Sequence, residues 1–252
     1  GAQASAAVSS GVGTGSACGA SGSGAASTSA ARSSRRAASA TSSGAPERAA
    51  ASTTMTTDAI AVLNAGSSSL KFALYPINGD VAEAPAVSGQ VEGIGAEPLM
   101  HAKDTHTGER FTENLAVPDG TDQNGQHRNA LEFVFDWIRR HSPGVEIVAA
   151  GHRIVHGGDH YSGPVVLSPD AVSTLETLIP LAPLHQPHNL RAIKSLFSLM
   201  PEVRQVGCFD TSFHRTRHPV AARFPLPRAL FDEGIKRYGF HGLSYEFVAR
   251  QL

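Results

Sequence analysis

The chain has 252 residues, 41% of them apolar, with 21 Lys and Arg against 22 Asp and Glu. This near-neutral balance gives no global electrostatic basis for binding nucleic acid or a membrane surface, and neither is expected as a partner. No apolar run approaches the length that spans a bilayer. The two cysteines, Cys18 and Cys208, lie far apart in different kinds of sequence. This spacing argues against a disulfide framework and predicts a cytoplasmic protein.

Residues 1–54 differ in composition from the rest of the chain. They are dominated by Ala, Ser, Gly and Thr, with scattered arginines and almost no large apolar side chains. Such a segment buries too little surface to offset its ordering entropy, so we predict disorder. Met55 precedes the first strand as a natural start would, which indicates a translated leader followed by a folded domain over 55–252. A weak likeness to an organellar transit peptide is the alternative.

The first predicted strands, 60–63 and 72–75, flank Asn-Ala-Gly-Ser-Ser-Ser-Leu-Lys at residues 64–71. Alternation along the second strand places Ser69 and Lys71 on one face, while the apolar side chains between them enter the core. A Gly- and Ser-rich connection offers N–H donors and hydroxyls that suit an anion such as phosphate. A polar hairpin turn with an exposed lysine remains the alternative.

Further strands are predicted at 86–92, 98–104 and 110–117, as a meander that continues the hairpin. Apolar spacing then predicts a helix over about 124–140, followed by a short buried strand at 145–150. Because strands and helices alternate from this point, the pattern favours an α/β domain with a layered sheet.

The remaining elements continue this alternation. A helix is predicted to begin with Ser168 as its N-cap and Pro169 at its first position. Another helix is predicted over 187–199, a strand over 203–209 and a last helix from Ser244 onward.

Gly-His-Arg-Ile-Val-His-Gly-Gly at residues 151–158 follows a predicted strand. The guanidinium of Arg153 is suited to hold a carboxylate or phosphate by paired hydrogen bonds, although a structural ion pair is the alternative. His152 and His156 lack the spacing of helical metal ligands. We interpret both as hydrogen-bonding residues of a loop.

Three later motifs add polar side chains near turns. In Pro-Leu-His-Gln-Pro, two prolines restrict the backbone around His185. In Phe-Asp-Thr-Ser-Phe-His, Asp210 follows a strand at the edge where open α/β sheets place ligand-binding groups, or else it caps a turn. Tyr-Gly-Phe-His-Gly at residues 238–242 has glycines that permit close ligand approach, or it is a plain turn. Each motif alone is indecisive.

Taken together and in order, the five motifs resemble the acetate kinase family, from about residue 58 to residue 252. Acetate kinases belong to the actin-like, sugar kinase and Hsp70 superfamily, so the resemblance implies a ribonuclease-H-like α/β domain with a mixed sheet and flanking helices. It also implies acetate and ATP as substrates, Mg²⁺ as a cofactor and a homodimer in the full-length family.

The resemblance further implies a role for individual residues. Those roles are Mg²⁺ binding by Asn64; phosphate binding by Ser67, Ser69 and Lys71; a grip on the carboxylate and the phosphoryl group by Arg153; a methyl pocket of Val155, Leu184 and Phe240; contact with the transferring phosphoryl group by His185 and His241; and the catalytic aspartate, Asp210. A carboxylate substrate is already ionised at neutral pH, so it needs no base. We therefore hypothesise that Asp210 orients Arg153 or a metal-bound water.

The expected reaction is reversible phosphoryl transfer from ATP to acetate. The sequence ends ten residues after Gly242, and by the resemblance a second domain with the nucleotide pocket is missing. We therefore expect little activity from this chain alone. The alternatives are a propionate kinase of the same family, and a non-catalytic remnant or interaction module.

Overall fold

The computed structural model describes residues 56–252. The expectations of disorder and of a leader origin for residues 1–54 lie outside the described residues. Within residues 56–252, no helix has the length and apolar character needed to cross a membrane.

The described residues form nine strands and five α-helices. The strands are β1 (Thr57–Ala65), β2 (Ser69–Asn78), β3 (Asp80–Val81), β4 (Val87–Glu92), β5 (Leu99–Asp104), β6 (Arg110–Asn114), β7 (Val145–Ile154), β8 (Val165–Val166) and β9 (Arg204–Phe209). The helices are α1 (Gln123–His141), α2 (Pro169–Glu176), α3 (Gln186–Leu199), α4 (Arg228–Asp232) and α5 (Gly242–Gln251). Short 3₁₀ segments lie at Ile179–Leu181, Ser212–Thr216 and Pro219–Ala222.

All the strands belong to one mixed sheet with the order β6-β5-β4-β2-β1-β7-β9-β8, and β3 pairs with β2 outside this path. The predicted hairpin and meander are confirmed, since β1, β2, β4, β5 and β6 pair antiparallel in succession. On the other side of β1 the pairing becomes parallel, first to β7 and then from β7 to β9. The predicted α/β fold class is therefore confirmed.

Side-chain alternation decides which face of the sheet is covered by helices. On β2, Leu70, Phe72 and Leu74 are buried against the main core, whereas Ser69 and Lys71 on the opposite face are only partly buried. The anchor of this core is Trp137 of α1, which is fully buried. Its ring centroid lies 6.4 Å from that of Phe72, and its Nε1 donates a hydrogen bond to Glu113 at 3.0 Å.

A second core lies on the same face, beneath α2 and α3. It joins Ile154 at the end of β7 and Phe209 at the end of β9 to Leu175 of α2 and Ile193 of α3. Among residues 56–252, the opposite face carries a smaller apolar cluster, formed by Val62, Tyr75, Cys208 and Leu243 of α5. Because the described residues cover it less than the first face, we name it the open face.

One prediction about the end of β7 is wrong. Strand β7 continues to Ile154, so His152 lies inside a strand and not in a loop. The reason is tertiary, because pairing of His152 with Gly207 on β9 extends the ladder beyond the apolar run visible in the sequence. The last helix also begins at Gly242, two residues before the predicted Ser244.

The predicted N-terminus of α2 is confirmed and can be tested directly. Ser168 is the N-cap, its Oγ accepts a hydrogen bond from the backbone N–H of Ala171 at 3.1 Å, and Pro169 begins the helix. We expect Ser168→Ala to lower the free energy of unfolding by about 1 kcal/mol, measured by urea denaturation. Ser173→Ala, an exposed change inside the same helix, is the control. Equal losses in the two variants would contradict a capping role.

Candidate active site

Parallel pairing brings three polar side chains together on the open face of the sheet. Asn64 lies near the end of β1, Arg153 near the end of β7, and Asp210 directly after β9. Leu63 pairs with His152 and Arg153 pairs with Cys208, so these strand ends are adjacent in register. The carboxyl edge of a parallel sheet region is where α/β proteins bind ligands.

Arg153 is held on one side by two other residues of this group. Its Nε and Nη2 both donate to Oδ2 of Asp210, at 3.1 and 2.6 Å, and Nη1 donates to Oδ1 of Asn64 at 3.3 Å. The Asp210 side chain is 2% exposed, whereas that of Arg153 is 24% exposed. The buried carboxylate therefore fixes a guanidinium that still reaches solvent, which is a suitable arrangement for receiving an anion.

The backbone of Asp210 joins the end of β7 to the start of α5. Its N–H donates to the carbonyl of Ile154 at 3.0 Å, and its carbonyl accepts from the N–H of Gly242 at 2.9 Å. A Cβ on Gly242 would lie 2.2 Å from that carbonyl oxygen, so only glycine fits this approach.

His241 is the residue that precedes this contact. With φ 56° and ψ 26°, it is the one non-glycine residue of positive φ in residues 56–252. Such a conformation costs on the order of 1 kcal/mol and persists where the surroundings enforce it. Its side chain is exposed, and the residue after it, Gly242, bonds to the backbone of Asp210.

The predicted hairpin is formed between β1 and β2, and anion binding by it stays a prediction. Lys71 pairs with Asn64 across the hairpin, on the face that carries Arg153. Ser69 begins β2 and Ser67 is exposed in the turn. The turn is tied down by a 2.8 Å bond from the Gly66 N–H to the Ser69 carbonyl.

His127 of α1 holds the same turn from the core side. This histidine is 2% exposed, and its Nε2 lies 3.0 Å from the carbonyl oxygen of Gly66.

The loop after β7 is ordered by hydrogen bonds around His156. Nδ1 of this buried histidine accepts from the N–H of Gly158 at 2.9 Å, and Thr211 accepts from the N–H of Gly157 at 3.0 Å. The interpretation of His156 as a hydrogen-bonding loop residue is confirmed. Its ring centroid also lies 4.5 Å from Tyr238 and 5.7 Å from Phe240, which brings the Tyr-Gly-Phe-His-Gly motif to this loop.

The three residues expected to form a methyl pocket differ in exposure. Val155 is 8% exposed, Phe240 38% and Leu184 76%. The ring of Phe240 contacts that of His156, the residue after Val155. Leu184 lies at the surface of the loop before α3. His185 is the N-cap residue of α3, is exposed, and makes no capping hydrogen bond with its side chain.

The described residues do not form a metal-binding cage. Within residues 56–252, no group of three His, Cys, Asp or Glu side chains is placed to hold a metal ion. Oδ1 of Asn64 and Oδ2 of Asp210 already accept hydrogen bonds from Arg153. Mg²⁺ binding by Asn64 therefore stays a prediction, in which water and phosphate oxygens would supply most of the ligands.

Two buried amide side chains near the site were not predicted. Asn189 and Gln186, both in the first turn of α3, bond to the backbone of residues 155 and 156. Gln186 lies inside the Pro-Leu-His-Gln-Pro motif but was given no role, and one further signal was present. Both lie at helical spacing from Ile193, on the buried face of α3, where a polar side chain needs a partner.

The arrangement defines an α/β protein with a candidate site at the ends of parallel strands, where an exposed guanidinium is held by a buried carboxylate. Residues 59–252 match the acetokinase family. An acetate kinase from Methylocella silvestris is 44% identical over 202 residues, which cover 77% of this chain and 48% of that protein. One from Rhodopseudomonas palustris is 42% identical over 197 residues, covering 78% and 48%. The chain belongs to the acetokinase family, and it spans about half the length of these curated relatives.

Two solved structures of similar proteins also match the fold of this chain. An acetate kinase from Porphyromonas gingivalis superposes with a TM-score of 0.65 at 34% identity, over 77% of this chain and 48% of that one. A propionate kinase from Francisella tularensis superposes with a TM-score of 0.66 at 33% identity, over the same shares of the two chains.

The burial of His152, on the core face of β7, can be tested through the dependence of stability on pH. This histidine is 2% exposed, and burial lowers its pKa from 6.5 to about 4, an effect that the adjacent Gln205 opposes only in part. As the pH falls, His152 is protonated in the unfolded chain near pH 6.5 but in the folded chain only near pH 4. Its contribution to stability is therefore complete above pH 6.5 and is lost as the pH falls to about 4. The loss is on the order of 3 kcal/mol.

We therefore expect His152→Asn to flatten the dependence of unfolding free energy on pH between 6.5 and 4. Urea denaturation at stepped pH measures this dependence. Burial also lowers the pKa of His156 and of His188, so a smaller dependence persists in the variant. The exposed change His106→Gln should leave the wild-type curve intact. An unchanged slope in His152→Asn would contradict the prediction.

Proposed function

We propose that the protein carrying this chain transfers a phosphoryl group reversibly between ATP and acetate, giving ADP and acetyl phosphate. The observation that carries the proposal is the Arg153 guanidinium, held by Asp210 and Asn64 at the ends of adjacent strands in a chain of the acetokinase family. Because the chain spans about half of each relative, we further propose that it turns over slowly on its own. A cytoplasmic location and a homodimer stay predictions.

In the proposed reaction, an acetate oxygen attacks the γ-phosphorus of ATP and the bond to the ADP oxygen breaks. The acid is ionised at neutral pH, so no proton has to be removed. The transition state is loose and spreads negative charge over the phosphoryl oxygens, so positioning and cationic stabilisation supply most of the catalysis. Arg153 and Lys71 are suited to this task because both lie on the open face of the sheet.

Within this reaction we assign Asp210 the task of orienting Arg153. The assignment is supported by two hydrogen bonds that end on one buried carboxylate oxygen. A proton donor or acceptor would need a free path to the substrate, whereas the Asp210 side chain is 2% exposed and faces a cation.

The remaining site residues are proposed to have the roles that the family resemblance implies. His241, exposed beside Gly242, is proposed to stabilise the transferring phosphoryl group, and His185 to contact it from the start of α3. Ser67 and Ser69 are proposed to donate to phosphate oxygens from the hairpin turn. ATP supplies the phosphoryl group, and Mg²⁺, the predicted cofactor, would neutralise part of its charge.

The charge of Asp210 is open to a direct test. We expect Asp210→Asn to lower the turnover of acetyl phosphate and ADP by on the order of a hundredfold, because the guanidinium loses its fixed orientation. Luciferase detection of the ATP formed gives the sensitivity that a slow chain requires. Asp232→Asn removes an exposed carboxylate paired with Arg228 and should change nothing. Near-normal turnover by Asp210→Asn would refute the assignment.

A propionate kinase is the second candidate, favoured by the structural match to the Francisella tularensis enzyme. We propose acetate as the better substrate and expect acetyl phosphate to bind roughly tenfold more tightly than propionyl phosphate. Titration calorimetry on the 252-residue chain measures both affinities without requiring turnover.

Two phenylalanine variants test whether the proposed pocket sets this preference. Phe240→Ala should reduce the difference in affinity between acetyl phosphate and propionyl phosphate. Phe224→Ala removes another partly exposed ring (40% exposed) and should leave that difference unchanged. Equal or tighter binding of propionyl phosphate by the wild-type chain would favour the second candidate.

A further inference from the structure

The parallel ladder between β1 and β7 ends just before the site. Its last paired residues are Leu63 and His152. Beyond this pair, the side chain of Asn189 connects the two strand ends. Its Nδ2 donates to the carbonyl of Ala65 at 2.8 Å, and its Oδ1 accepts from the N–H of Val155 at 3.0 Å. The residue is 3% exposed, so both bonds lie out of water.

Gln186, one turn earlier in α3, ties the residue after Val155 to that helix. Its Oε1 accepts from the N–H of His156 at 3.2 Å, and its Nε2 donates to the carbonyl of the same residue at 3.0 Å. The fully buried amide thus pairs with both backbone groups of one residue, as a neighbouring strand does. The first turn of α3 therefore supplies side-chain amides where the backbone ladder stops.

We propose that Asn189 and Gln186, here named the amide clamp, are positioning residues that keep Arg153 in register with Asn64. Asn189 holds Val155 to the end of β1, and Gln186 holds the next residue, His156, to α3. The inference rests on the proposed function, because it gives the clamp the task of presenting the Arg153 guanidinium to an acyl phosphate. The clamp acts through the backbone, since its hydrogen bonds end on main-chain atoms and not on Arg153.

The chemistry of Asn189 is specific because its position needs a donor and an acceptor at once. A carboxylate at residue 189 would keep the bond from the Val155 N–H. It would also place a negative oxygen against the Ala65 carbonyl, which has no hydrogen to offer. Asn189→Asp is therefore expected to break the connection to β1 while keeping the size of the side chain.

The 3.3 Å bond between Arg153 Nη1 and Asn64 Oδ1 is the longest that the guanidinium makes to Asn64 or Asp210. A small separation of the two strand ends lengthens it beyond hydrogen-bonding distance. The two backbone groups that Asn189 binds lie two residues after Arg153 and one residue after Asn64. A substitution of Asn189 should therefore alter the hydrogen bonds of the Arg153 guanidinium more than it alters the rest of the fold.

Two measurements on the ¹⁵N-labelled 252-residue chain test the proposal. The first is the NMR signal of the Arg153 Nε–H, recorded with the hydrogen-exchange rate of the Val155 amide and without any ligand. The second is the affinity for acetyl phosphate. In Asn189→Asp, we expect a shifted or lost Arg153 signal and affinity weakened on the order of tenfold. The Val155 amide should keep its protection, because the carboxylate still accepts its hydrogen bond.

Two control variants separate positioning from general stability. Ile193→Val removes a methyl group from the core face of the same helix and lowers the melting temperature, yet it should leave the Arg153 signal and the affinity unchanged. Asn78→Asp makes the same chemical change at an exposed position and should change neither. An Arg153 signal that moves as far in Ile193→Val as in Asn189→Asp would overturn the proposal.

The remaining outcomes are also decisive. If the wild-type chain does not bind acetyl phosphate, the proposed function fails for this chain, and the ligand-free Arg153 signal still decides the clamp. If Asn189→Asp does not fold, the same measurements on Gln186→Met, which removes the glutamine bonds without burying a charge, decide it. An unchanged Arg153 signal in a folded clamp variant overturns the proposal.

Discussion

Parallel pairing of β7 with both β1 and β9 is the constraint on which the site depends. It brings Asn64, Arg153 and Asp210 to one edge of the sheet, although 57 residues separate Arg153 from Asp210 and 89 separate it from Asn64. Once Asp210 is fixed there, its backbone also binds the start of α5 and places His241. The helices on the other face, with Trp137 and the second core, serve to keep these three strands in register.

Charge at this edge is distributed unequally between buried and exposed groups. The negative partner is enclosed, while the positive partner remains 24% exposed. A pair of this kind directs its unused hydrogen-bonding capacity outward, toward an incoming anion, and Lys71 adds a second cation on the same face. This arrangement suits a reaction in which existing negative charge is held in place and no proton is removed. The proposed phosphoryl transfer to an ionised acid therefore fits it better than proton abstraction.

Much of the fold could be predicted from local sequence, because hairpin turns, helix caps and apolar spacing act over a few residues. Ser168, Pro169 and the β1–β2 hairpin are examples. The candidate site residues were predicted from the family resemblance of five ordered motifs, since no motif alone was decisive. Properties that depend on distant segments could not be predicted. His152 lies in a strand because β9 pairs with β7, and the amide clamp is specified by backbone groups that only the folded sheet presents. The two-residue strands β3 and β8 are too short to leave any periodicity.

The order of the strands also has a consequence for how the chain folds as it is synthesised. The antiparallel strands β1 to β6 are contiguous in sequence, so their pairing requires little loop closure. Strand β9 begins 50 residues after the end of β7, at Arg204 against Ile154. Until β9 arrives, the edge of β7 from Ala149 to Ile154 is unpaired, and an open edge of this kind can pair with another chain. The segment that presents Arg153 is therefore also the one most exposed to misassembly during folding.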